Sequence, residues 1–175
     1  MRIACVLADG FEDSELRKPY DAFRDAGHDV TIIGFGKGQT LTGKKGKEKV
    51  KADLGIDEAH PEDYHALFIP GGHSPDMLRA DPRFIAFVQA FVDRPILAIC
   101  HGPQLLLSAG MLAGHKLTAW RTVQDDLRAA RLDVVDEPVV ADGNLVTSRQ
   151  PDDIPAFIER SLEVLKQSAS LHADA

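Results

Sequence analysis

The sequence predicts an α/β fold in which a mostly parallel sheet is covered by helices. Three observations carry this reading. Short apolar runs alternate with amphipathic segments along the chain, most runs open into a polar loop, and two end in tight glycine-containing turns, Pro70-Gly71-Gly72 and Cys100-His101-Gly102. A length of 175 residues suits one domain and buries enough apolar surface to fold without disulfides. With 44% hydrophobic and 27% charged residues, the composition excludes disordered, collagen-like and fibrous chains.

The elements follow in order. Ile3 to Leu7 is a short buried strand, and Leu16, Tyr20 and Phe23 recur at helical spacing until Ala26-Gly27-His28 ends the helix. Val30 to Ile33 is a second strand. The Gly- and Lys-rich stretch from Gly34 to Lys51 reads as a hairpin. Ala66 to Ile69 is a strand that ends in Pro70-Gly71-Gly72; Ser74-Pro75-Asp76 opens a short helix, and Asp81-Pro82 caps a longer one that buries Phe84, Ile85, Phe87, Val88 and Phe91. Pro95 to Ile99 is a strand running straight into Cys100-His101-Gly102-Pro103 and an apolar helix, Gln104 to Ala109. Lys116 to Trp120 and Val134 to Val140 are weaker strands around a polar helix from Val123 to Ala130. Asp142-Gly143 is a turn before Leu145-Val146, Pro151 to Gln167 is the closing helix of a single domain spanning 1–167, and Ser168 to Ala175 is expected to fray.

Twenty Lys and Arg against 27 Asp and Glu give a net charge of −7, which argues against nucleic acid or an anionic membrane as the main partner. No apolar run approaches the roughly 20 residues that span a bilayer. With two cysteines, Cys5 and Cys100, and no signal-peptide pattern, the expected compartment is the cytoplasm.

Cys100 is the most informative position. It lies where an apolar strand stops and a helix starts, the strand end at which open parallel sheets bind ligands. A thiol on this turn would stand above the sheet, near a helix N-terminus that favours the thiolate, with the His101 amide facing the same site. A small buried core cysteine is the alternative reading of the same position. Cys5, inside the first strand, is core. His101 is equally a base or a bystander on spacing alone. The paired glycines Gly71 and Gly72 would let backbone amides approach a substrate oxygen, or form a plain turn. Glu12 and Glu15, three residues apart, lie on one side of a helix start, either as solvated first-turn carboxylates or, for one of them near the thiol, as a proton donor or acceptor. The phosphate-loop lookalike from Gly38 to Lys45 places Lys45 where magnesium chemistry needs Ser or Thr, so nucleotide binding is not expected. The lysines 44, 45, 47, 49 and 51 read as a solvated face. The seven histidines show no metal-ligand spacing, and neither a metal nor a cofactor is expected.

Phe11-Glu12-Asp13-Ser14-Glu15, Gly43-Lys44-Lys45-Gly46, Pro70-Gly71-Gly72-His73-Ser74-Pro75-Asp76, Ala98-Ile99-Cys100-His101-Gly102-Pro103-Gln104 and Thr147-Ser148-Arg149 together resemble the PfpI family of the ThiJ/PfpI superfamily, in its general-stress-protein branch. The similarity runs from Arg2 to Leu165. It implies a flavodoxin-like three-layer sandwich with a strand-turn-helix nucleophile elbow, assembled as a homodimer or hexamer. It also implies that Cys100 is the nucleophile with His101 following it, that Glu15 contacts the thiol with Glu12 close by, and that the Gly72 and His101 amides hold an oxyanion. An acidic residue from the adjoining subunit maps to Asp76, one methylene shorter than the glutamate of the PfpI proteases. Trp120 stands where those proteases carry a tyrosine, which makes the pocket more apolar.

The function implied is cysteine-dependent hydrolysis of methylglyoxal, glyoxal or their early adducts on protein and nucleotide amines and thiols. An intracellular peptidase or amidase is the second reading, weakened by Asp76 and Trp120. An oxidation sensor or holdase is the third, since an exposed thiol beside a carboxylate oxidises readily.

Overall fold

The computed structural model describes residues 1–173. In chain order the elements are β1 (Arg2–Val6), α1 (Asp13–Asp25), β2 (Asp29–Gly34), β3 (Thr40–Thr42), β4 (Lys49–Lys51), β5 (Leu54–Gly55), β6 (Ala66–Ile69), α2 (Ser74–Arg79), α3 (Pro82–Gln89), β7 (Ile96–Ile99), α4 (Pro103–Ser108), β8 (Lys116–Leu117), α5 (Arg121–Ala129), β9 (Asp133–Val134), β10 (Val139–Asp142), β11 (Leu145–Ser148) and α6 (Ile154–Ala173). Seven strands form one sheet in the order β10-β11-β7-β6-β1-β2-β5, parallel except for the β10–β11 hairpin at one edge.

Side-chain alternation along the strands builds a core on each face. Ala4 and Val6 of β1 face one way, into a core shared with Leu67, Phe84, Leu105 and Leu127. Ile3 and Cys5 face the other way, onto Leu16, Phe23, Phe68 and Phe157, where the Phe68 ring meets Phe23 edge-on at 5.4 Å. Cys5 is fully buried as expected, and burial pushes its thiol pKa up, so it is not a reactive group.

Three boundaries differ from the sequence reading. The strand expected from Lys116 to Trp120 stops at Leu117, because the Thr118 N–H turns to Thr147 Oγ1 (2.9 Å) and the Trp120 N–H to the Cys100 carbonyl (2.9 Å). The strand expected from Val134 to Val140 is split into β9 and β10 around Pro138, which has no N–H to give a ladder. The closing helix, expected to end at Gln167, starts as a 3₁₀ turn at Pro151 and continues to Ala173, with Ser168 buried on the way. Of the tail expected to fray, Asp174 and Ala175 lie outside the described residues. Among the described residues no helix is long and apolar enough to cross a membrane.

Strand order reverses beside β1: β2 and β5 lie on one side of it, β6, β7 and β11 on the other. The carboxyl ends of β1, β6 and β7 therefore open on a topological switch point, where doubly wound sheets place their ligand sites.

Candidate functional site

Three turns meet there. After β7 the chain passes through Cys100 with φ of 63°, a left-handed conformation that costs an L-residue roughly 1 kcal/mol and turns its side chain sharply off the strand. The Cys100 N–H is held by the Ser148 carbonyl at 2.9 Å and its carbonyl by the Trp120 N–H, so the end of β11 and the start of α5 pin the elbow. From α1, Glu15 reaches under the turn with no exposed surface. Its Oε1 accepts the Gly71 N–H at 3.0 Å, and its carboxyl interacts with the Cys100 thiol, although Oε2 has no well-aligned partner. From the β6 turn, Gly71 passes so close that a Cβ there would collide with Glu15 Oε1 and lie 2.8 Å from the Cys100 Cβ. The residue is glycine because the carboxyl and the thiol occupy that space.

Burial, reinforced by the nearby Glu12 charge, pushes the Glu15 carboxyl up to about 8, against the pull of the Gly71 N–H. Burial and the Glu15 charge likewise push the Cys100 thiol up, against the His101 N–H and Lys44. The sequence reading expected the opposite for Cys100, a thiolate favoured by a helix N-terminus. The thiol is instead 7% exposed beside a carboxyl, and α4 starts only at Pro103. The two groups are one coupled unit in which losing a proton on either side opposes losing the second.

His101 Nδ1 lies 3.3 Å from Cys100 Sγ, and the imidazole stacks on Trp120 with centroids 6.2 Å apart. Burial, with Lys44 and His73 nearby, holds the imidazole pKa below its usual range, so the ring is neutral at pH 7. Among the described residues the Gly72 N–H donates to no backbone carbonyl, and the His101 N–H turns toward the thiol.

Glu12 and Asp76 are placed differently. Glu12 is buried and its carboxylate is held by lysines rather than by the thiol: Lys44 Nζ reaches its Oε2 at 2.8 Å and Lys45 Nζ its Oε1 at 3.0 Å. Two of the five lysines read as a solvated face thus belong to the site. Asp76 stands on α2 with its side chain 77% exposed, 3.9 Å from Arg79, and touches His101 only through its charge. Asp13, which sequence reasoning passed over, is buried and accepts the N–H groups of Lys45, Lys47 and Glu48, each at 2.9 Å. Burial raises its carboxyl pKa, but these N–H groups outweigh burial and hold it low. Its position inside the Phe11–Glu15 motif was the available signal.

Cavities of about 330 Å³ and 370 Å³ are lined by other residues, Tyr20 and Arg24 in one and Arg121 and Arg149 in the other. Chemistry rather than volume marks the Cys100 cleft, where the coupled acid, thiol and amides converge. Among the described residues no group of three His, Cys, Asp or Glu side chains is arranged to hold a metal.

Residues 1–164 match the DJ-1/PfpI family. General stress protein 18 of Bacillus subtilis is 50% identical over 95% of this chain and 98% of its own length. Protein/nucleic acid deglycase 2 of Escherichia coli is 49% identical over 94% of this chain and 97% of its own. Among solved structures, a two-domain protein from Anabaena variabilis with DJ-1/ThiJ/PfpI-like and ferritin-like domains superposes with a TM-score of 0.91 at 34% identity, covering 94% of this chain and 48% of that one. Oxidized DJ-1 of Toxoplasma gondii superposes at 0.85 with 26% identity over 99% of this chain and 96% of its own. With that match over nearly its whole length and a thiol elbow built over a buried glutamate, the chain belongs to the DJ-1/PfpI family.

Proposed function

We propose that the protein is a cysteine-dependent hydrolase of methylglyoxal and glyoxal, or of the early adducts they form on protein and nucleotide amines and thiols. The observation that carries the reading is the Cys100 thiol held on a left-handed elbow against the fully buried Glu15 carboxyl. The name of the E. coli relative, a protein/nucleic acid deglycase, supports the substrate class.

The chemistry needs no cofactor. Sγ adds to the aldehyde carbon of methylglyoxal and the thiol proton ends on the carbonyl oxygen, giving a hemithioacetal whose oxyanion form the Gly72 and His101 amides stabilise. Glu15, in its ionised form, then takes the C–H proton from that carbon and returns it to the neighbouring ketone carbon while the hemithioacetal hydroxyl proton passes to the ketone oxygen, which leaves a lactoyl thioester at the same overall oxidation level. Water attacks the thioester, the Sγ–C bond breaks, and lactate leaves as the thiol regains its proton. A neutral His101 is able to take the proton from that water. In an intersubunit arrangement, Asp76 of a second copy would orient the imidazole.

Lactate formation from methylglyoxal without glutathione, followed by proton NMR for wild type and Cys100→Ser, tests the proposal. Catalytic lactate from wild type alone supports it. No lactate from either sinks it, and cleavage of an unstructured peptide by wild type but not Cys100→Ser would put a peptidase in its place.

A further inference from the structure

The loop between β3 and β4 carries a cation into the site by a route that does not depend on the cation itself. Asp13 grips the Lys45, Lys47 and Glu48 N–H groups, the Lys44 N–H donates to the Phe11 carbonyl at 2.8 Å, and the Gly43 N–H donates to the Glu48 carbonyl at 2.9 Å. A Cβ at Gly43 would collide with both Asp13 oxygens, so the loop is seated directly on that carboxylate. Its backbone is therefore fixed over the start of α1 whatever the lysine side chains do, and the ammonium groups of Lys44 and Lys45 fall on Glu12.

The two lysines are not equivalent. Lys45 is about half exposed at 53%, whereas Lys44 is 37% exposed and its charge also acts on Cys100, Glu15 and His101. The charged and titratable groups around the site are Glu12 at the start of α1, Lys44 and Lys45 from the hairpin, His101 from the elbow, and His73 and Asp76, which act on His101 from the β6–α2 side. Of these, Glu12 opposes ionisation of Glu15, and Lys44 favours ionisation of both members of the pair.

We propose that Lys44 is a positioning residue for the Cys100–Glu15 pair: seated on Glu12 by the Asp13-clamped loop, its ammonium offsets the Glu12 charge and eases loss of the first proton from the pair. This rests on Cys100 being the reactive thiol of the proposed function, and not on the identity of the substrate.

The test reads the thiol rather than turnover. The rate of Cys100 carbamidomethylation by iodoacetamide is measured by intact mass between pH 5 and 10, with buried Cys5 as the thiol that stays unlabelled. Lys44→Met should move the midpoint up by about half a unit or more, slowing labelling at pH 7 by about threefold or more. Lys44→Gln should do the same, and Lys44→Arg should restore the wild-type profile. Glu12→Gln breaks the same ion pair but removes the opposing charge, so it should move the midpoint down and speed labelling. Lys49→Met, on exposed β4, should change nothing. A structural role for the ion pair would shift Lys44→Met and Glu12→Gln in the same direction, and that result, or an unshifted Lys44→Met, overturns the proposal. A shifted profile in a protein that makes no lactate upholds the Lys44 role while the substrate reading falls. Cys100-dependent lactate with an unshifted Lys44→Met does the reverse.

Discussion

Glu15 has no exposed surface and holds its proton to about pH 8, against an ordinary value of 4.5. Between those values the folded protein keeps a proton that the unfolded chain has lost, so the unfolded state binds fewer protons and stability falls as pH rises. The slope is about 1.4 kcal/mol for each pH unit in that window. Glu15→Gln has no proton to lose, so its melting temperature should gain on wild type steadily from pH 5 to pH 8. A gap that stays constant would mean that Glu15 ionises normally. The same variant should lower lactate formation by about 10²- to 10⁴-fold, the range for losing a general acid–base group, while Cys100 still labels with iodoacetamide. Cys100 was legible in the sequence because an apolar strand, a cysteine and Gly102-Pro103 follow one another without a gap. The direction of its proton affinity was not, because that depends on Glu15, which the fold brings from 85 positions earlier in the chain.

Asp13 shows the same logic in an element. The hairpin itself was readable from its glycines and lysines, but its docking depends on one carboxylate that meets N–H groups 32 to 35 residues away. Local spacing cannot reveal such a pairing, which is why the lysine run looked like a solvated face. Asp13→Ala should leave three N–H groups unpaired and destabilise the protein by about 2–4 kcal/mol, given that a hydrogen bond to a charged group contributes about 1.5–3 kcal/mol. Amide exchange should accelerate first at Lys45, Lys47 and Glu48, the donors released. Gly43→Ala should give the same exchange pattern by pushing the loop off Asp13. Uniform acceleration across β1, β6 and β7 would instead mean that the loop opens only when the whole sheet does.

For the whole molecule, the parallel sheet and its helices were readable because strands buried on both faces are continuous apolar runs, such as Ile96–Ile99. The site was readable only in part, since it gathers from the β1–α1, β6–α2 and β7–α4 turns and the hairpin at a switch point that strand order alone creates. One component stays outside the single chain. Among the described residues no carboxylate hydrogen-bonds to His101, whose Nδ1 faces the thiol, while Asp76 projects into solvent from α2. If a second copy supplies that carboxylate, each site of a twofold dimer takes Cys100 and His101 from one chain and Asp76 from the other. Cys100→Ser and Asp76→Asn should then each be impaired alone, and co-expression should restore activity, because the mixed dimer contains one site with both groups intact. Random pairing makes half of the dimers mixed, each with one working site, so the recovered rate should be about a quarter of wild type. Recovery no greater than the average of the two single variants would place the working parts of the site within one chain and leave Asp76 without a catalytic role.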